Sequence, residues 1–167
     1  ISAASQAETI ASALIHADES NKDYYSINLA GLIGELKKLD QEFRIGLSNC
    51  QHRHFVISHD ALGHLASRYD IEQLPIAGLS HDTAPSAGHI ARLIDRIEDH
   101  QLKTILVEPL HENNMFTETI LTETGTKPLD VHVIGNVTAK ELTDHGDYFG
   151  LMRDNLQSLR TAMVCHD

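Results

Sequence analysis

Over the first 47 positions the apolar residues recur at helical spacing. Between Ile1 and about Ala17, Ala4, Ile10, Ala11, Ala13, Leu14 and Ile15 are frequent, with no Gly or Pro among them, which predicts a first helix. Asp18-Glu19-Ser20-Asn21 then reads as a break built of capping residues. Tyr25, Leu29, Leu32, Ile33, Leu36, Leu39, Phe43 and Leu47 follow three or four apart, the stripe of a long second helix over about 22–47. Two helices of this length exceed what a compact sheet domain needs, so one of them is read as a strut.

The pattern then changes to short apolar runs separated by helical stretches. Phe55-Val56-Ile57-Ser58 suits a buried strand, and 61–69 a helix. Leu74-Pro75-Ile76-Ala77-Gly78 is a second strand, which Pro75 pushes to the sheet edge. Residues 86–100 form an amphipathic helix with Ile90, Leu93, Ile94 and Ile97 inward and Pro85 near its start. Thr104-Ile105-Leu106-Val107 is the third strand, 112–124 a helix ending at Gly125, Val131-His132-Val133-Ile134 the fourth strand, and 147–163 the closing helix. Strand–helix alternation repeated four times predicts an α/β fold. The expected form is a four-stranded, mainly parallel sheet flanked by helices and preceded by a long helical segment. Ligands of such folds sit beyond the carboxyl ends of the strands. That directs attention to His59-Asp60, Leu79-Ser80-His81, Glu108-Pro109 and Gly135-Asn136.

Composition narrows the function. The chain has 167 residues, 41% hydrophobic and 22% charged, the balance of a globular domain. A formal charge of -11 argues against nucleic acid as a partner, since phosphate binding wants a basic face. No apolar run approaches the ~20 residues of a membrane helix. The chain opens with Ile1-Ser2-Ala3-Ala4 and no signal peptide, as expected of a processed or truncated start, so location is left open. Histidine is abundant, at 12 residues, four of them close together at His52, His54, His59 and His64. Neutral imidazole is the commonest protein metal ligand. Cys50 and Cys165 are too far apart for a zinc ribbon or redox pair, which leaves one disulfide or two unrelated thiols.

His59 ends the first strand, where it serves as a metal ligand, a general base or a histidine bonded to nearby backbone. Asp60 beside it is placed to cap the next helix. Glu108 ends the third strand as a ligand, a partner orienting His59, or an ion-pair residue. Ser58 and His59 point to opposite faces and cannot form a catalytic pair. No nucleophile elbow, phosphate loop or His-Glu-x-x-His motif is present. His52 and His54 read as a solvated pair rather than a chelate.

Residues 55–69, running Phe-Val-Ile-Ser-His-Asp-Ala-Leu-Gly-His-Leu-Ala and then Arg68-Tyr69, resemble a segment of zinc-uptake ABC-transporter substrate-binding proteins. Ala77-Gly78-Leu79-Ser80 with Pro85-Ser86 is similar to a second segment, and Val107-Glu108-Pro109 to a third. Asp147-Tyr148-Phe149 with Leu151-Met152-Arg153-Asp154-Asn155-Leu156 is similar to the family's closing helix. The likeness is collinear over essentially the whole chain. It implies one lobe of a two-lobed metal receptor, with 1–49 as interlobe connecting helices and 50–167 as the C-terminal metal-binding lobe. It implies that His59 is a metal ligand, and that the other histidine ligands lie upstream in an N-terminal lobe missing from this chain. Glu108, Asp60 and Asn136 are candidates for supporting or weak ligation. Histidine in place of a carboxylate favours zinc over manganese. The resemblance also implies a Cys50–Cys165 disulfide, a periplasmic or membrane-anchored extracellular location, delivery to an ABC-transporter permease, and no enzymatic activity. Rival expectations are a surface adhesin of the same family and a metal-dependent hydrolase.

Overall fold

A computed structural model describes residues 3–78, 84–109, 115–135, 137, 143 and 146–166. The chain divides into two compact units, 1–44 and 45–167.

The first unit is helical. α1 spans Ala3–Ala17 and ends in a 3-10 turn at Glu19–Asn21, and α2 runs Lys22–Gly46, past the unit's end. The expected break forms around Asp18. Its carboxylate accepts from Ser20 Oγ at 2.6 Å, Asn21 Nδ2 at 2.7 Å and Tyr25 Oη at 3.0 Å. These donors, Asn21 first, hold its pKa below the usual aspartate value.

The second unit is the expected α/β layer structure. β1 is His54–His59, α3 Gly63–Arg68, β2 Glu72–Ala77, α4 Ala87–Asp99, β3 Thr104–Val107, α5 Met115–Thr124, β4 Lys127–Asp130 and α6 Tyr148–Ala162. Among the described residues the sheet has the strand order β2-β1-β3-β4, every pairing parallel. The central strand β1 is buried from Phe55 onward and apolar over Phe55–Ile57, as a strand covered on both faces must be. Val56, Leu74, Ile76 and Ile105 project toward α4 and α5, closing a core with Leu93, Ile97, Leu102 and Ile120. Strand alternation sends Phe55, Ile57 and Leu106 to the opposite face. α6 packs against β3 and β4.

Local chemistry sets the helix ends. The Ser86 hydroxyl accepts from the His89 N–H at 3.2 Å, capping α4. Asp147 does the same for α6 through the Gly150 N–H. Gly125, at φ +66°, ends α5 in the left-handed region, as its position predicts. β2 is an edge strand, as Pro75 predicts. Its Pro75 carbonyl lies 2.9 Å from His89 Nε2, which helps blunt that edge.

The fourth strand departs from expectation. The apolar run at 131–134 is not the strand; Lys127-Pro128-Leu129-Asp130 is. Among the described residues β4 pairs with β3 alone, and an edge strand tolerates charge and proline that a central one rejects. Val131 is fully buried and adds one further N–H bond to Val107 O at 2.9 Å. Beyond it the backbone of His132 is taken up by a side chain, described below, and Ile134 turns to φ +61°, which a strand cannot contain.

Candidate functional site

His59 and Glu108 meet where the strand order reverses. β1 leads to β2 on one side, and the chain then returns to place β3 on the other side, so the carboxyl ends of β1 and β3 flank the switch point. In the β1–β3 register Ile57 is level with Leu106. Two residues further on, on the same face, that register sets His59 level with Glu108. His59 Nδ1 and Glu108 Oε1 lie 2.5 Å apart, with 7% and 6% of each residue exposed. Burial of an imidazole beside a carboxylate is tolerable because each supplies the other's polar partner. The contact fits two of the roles open to Glu108 in the sequence alike, a partner orienting His59 and an ion-pair residue.

Asp60 does not cap α3. Leu62 occupies the N-cap, with no side-chain cap of its own. The Asp60 carboxylate instead accepts from Gln73 Nε2 on β2, while Gln73 Oε1 accepts from the Leu62 N–H at 3.0 Å. β1 ends at His59, and Asp60 lies in the bend beyond it, closed by the Ala61 N–H bond to His59 O at 2.9 Å. Asn136 and Leu79-Ser80-His81 lie outside the described residues. Among the described residues no group of three or more His, Cys, Asp or Glu converges to hold a metal.

The histidine-rich stretch separates along β1. His54 begins the strand that His59 ends. Its ring stands 4.0 Å, centroid to centroid, from that of His100, and its Nδ1 is 3.9 Å from Glu72 Oε2. Burial, and then the neighbouring His100, push the His54 pKa below its ordinary value. Cys50 and Cys165 form the disulfide the resemblance implied. It joins the entry to β1 to the chain's last residues, away from the His59 end, alongside backbone bonds from Gln51 N to Val164 O and His166 N to Asn49 O.

Two residues that organise the backbone carried no role in the sequence reading. Gln73 is one. The other is Asn155, which is almost fully buried. Its Oδ1 accepts from His132 N at 2.7 Å and its Nδ2 donates to His132 O at 2.6 Å, imitating a strand partner just past β4. A signal was present for Asn155: it lies in the apolar stripe Leu151–Asn155–Leu159, four residues from each neighbour.

The model of the family described as zinc-uptake complex component A, periplasmic, matches residues 1–162. The chain belongs to that family. It is 29% identical over 159 residues to the high-affinity zinc uptake system protein ZnuA of Bacillus subtilis, covering 95% of this chain and 50% of that protein. Zinc-binding protein AdcA of Streptococcus pyogenes is 32% identical over 153 residues, covering 92% of this chain and 30% of AdcA. The Zn(II)-bound ZnuA-like domain of Streptococcus pneumoniae AdcA superposes with a TM-score of 0.75 at 28% identity, covering 93% of this chain and 58% of that domain. The chain thus spans half the length of the first relative and under a third of the second.

Proposed function

We propose that this chain is the C-terminal lobe, with its connecting helices, of a two-lobed receptor that captures zinc outside the cytoplasm and delivers it to an ABC-transporter permease. Membership of the zinc-uptake family supports transport over the adhesin and hydrolase readings. The observation that carries the site assignment is the His59–Glu108 pair at the switch point. A metal-bound histidine commonly directs its second nitrogen to a carboxylate, which fixes the ring and raises its basicity. With Nδ1 held by Glu108, the ligating atom is Nε2. Zinc prefers nitrogen ligands at about 2.0–2.1 Å in a tetrahedral set, so one imidazole leaves ligands to come from the other lobe. Residues 1–49 act as the connector between lobes. The receptor is periplasmic or tethered to the outer face of the membrane and performs no covalent chemistry.

Competition against a chromogenic chelator tests this. The complete two-lobed protein should hold zinc tightly and lose that affinity in His59→Ala, while the 167-residue chain alone binds weakly. Unchanged affinity in the His59→Ala receptor would refute the assignment, and nanomolar one-to-one binding by the lobe alone would refute the shared site.

A further inference from the structure

We infer that Gln73 is a positioning residue for the metal site: its carboxamide bolts the turn that follows His59 to strand β2, and so sets how long the captured ion stays bound. The inference rests on the zinc-capture reading of His59. β1 ends at His59, and only three residues separate it from the start of α3 at Gly63. A turn this short transmits its own looseness to the residue before it. α3 has six residues, and its N-cap, Leu62, brings no side-chain acceptor of its own. Gln73 supplies one from a different element. Its Oε1 accepts from the Leu62 N–H at 3.0 Å, and its Nε2 donates to the Asp60 carboxylate. Both ends of one planar amide are engaged, so neither bond can form with the amide reversed.

The backbone reinforces the lock. Asp60 N donates to Gly78 O at 3.4 Å and Ala61 N to His59 O at 2.9 Å. Gln73 is level with Phe55, well short of the strand end where His59 is level with Ala77. The turn therefore folds back along β2 to reach it. Gly63 leaves the amide its space: a Cβ there would stand 3.2 Å from Gln73 Nε2 and 3.6 Å from Asp60 Oδ1. Glu108 holds the His59 ring from the β3 side, and Gln73 holds its turn from the β2 side.

The test is chelator-driven zinc release by stopped flow in the complete receptor, with equilibrium competition, thermal melts and His59 ring NMR on the same samples. Gln73→Met keeps bulk and removes both bonds. It should speed release about tenfold, on the order expected from two ordinary hydrogen bonds, and add a second set of His59 ring signals. Gln73→Glu keeps the acceptor for Leu62 but opposes the Asp60 carboxylate, and should also release faster. Adding Asp60→Asn to Gln73→Glu reverses the donor and acceptor of that pair and should restore slow release, which a role in stability alone does not predict. Gly63→Ala, which crowds the amide without removing a polar atom, should give an intermediate rate. Should Gln73→Met fail to fold, the Gln73→Glu and rescue pair decides. Wild-type release and a single ring signal in Gln73→Met or Gln73→Glu, while His59→Ala loses zinc, would overturn this inference and leave the zinc site standing. Unaltered zinc binding in His59→Ala would overturn both.

Discussion

His59 and Glu108, far apart in the chain, stand level on neighbouring parallel strands with Nδ1 and Oε1 2.5 Å apart. In the zinc-capture reading, a carboxylate at Nδ1 fixes the ring and leaves Nε2 to the metal.

Glu108→Gln should retain the fold and lose about 10- to 100-fold in zinc affinity, the usual cost of removing such a partner. Chelator competition on the complete receptor measures it. Affinity equal to wild type would mean that Glu108 serves packing alone.

Asn155→Leu should destabilise the lobe by about 1–3 kcal/mol, because the N–H and C=O of the half-buried His132 both lose this partner. Asn155→Asp keeps the acceptor for the His132 N–H but sets a buried carboxylate oxygen against the His132 carbonyl, so it should cost at least as much. Urea unfolding ranks the two, and amide exchange at His132 should quicken in both variants.

Cys50 and Cys165 are separated by 115 positions, so their bond closes a long loop of the unfolded chain. In the chain-entropy model a loop of that order is worth about 4–5 kcal/mol. Replacing both cysteines with serine, or adding a reductant, should lower the urea midpoint accordingly. A midpoint that stays put would show the link to be dispensable for stability.

The lobe should also lose stability in mild acid through His54. Its folded pKa lies below 6.5, because burial and then His100 disfavour the charged ring, with Arg96 and His52 acting the same way and Glu72 opposing them. As pH falls the unfolded chain takes up this proton before the folded one does. The stabilisation is therefore complete above about pH 6.5 and is lost progressively as pH drops from there toward the folded value. Urea midpoints measured from pH 7.5 down to 5 should fall less steeply in His54→Gln. An identical slope in the two proteins would rule His54 out as a source.

Much of the fold was legible because its elements carry local signals. The three- and four-residue stripes of the helices, the apolar run of β1, the edge proline of β2 and the glycine after α5 each record a short-range constraint. The fourth strand was misplaced for a physical reason. Apolarity reports burial rather than hydrogen-bonded pairing, and Val131 is buried just past the strand, while Lys127–Asp130 pair along an edge that asks for little apolar surface. Asp60 was misjudged as a helix cap because a side chain from another strand, Gln73, took over both partners.

The linear chain determined which segments coil, which extend, and that an imidazole ends one central strand and a carboxylate another, since these follow from residue type and spacing within a few positions. Only the folded sheet decided that the two groups touch. Strand order and register are long-range choices, set by how side chains from distant segments pack together, and a shift of one residue along β3 would have turned Glu108 to the opposite face.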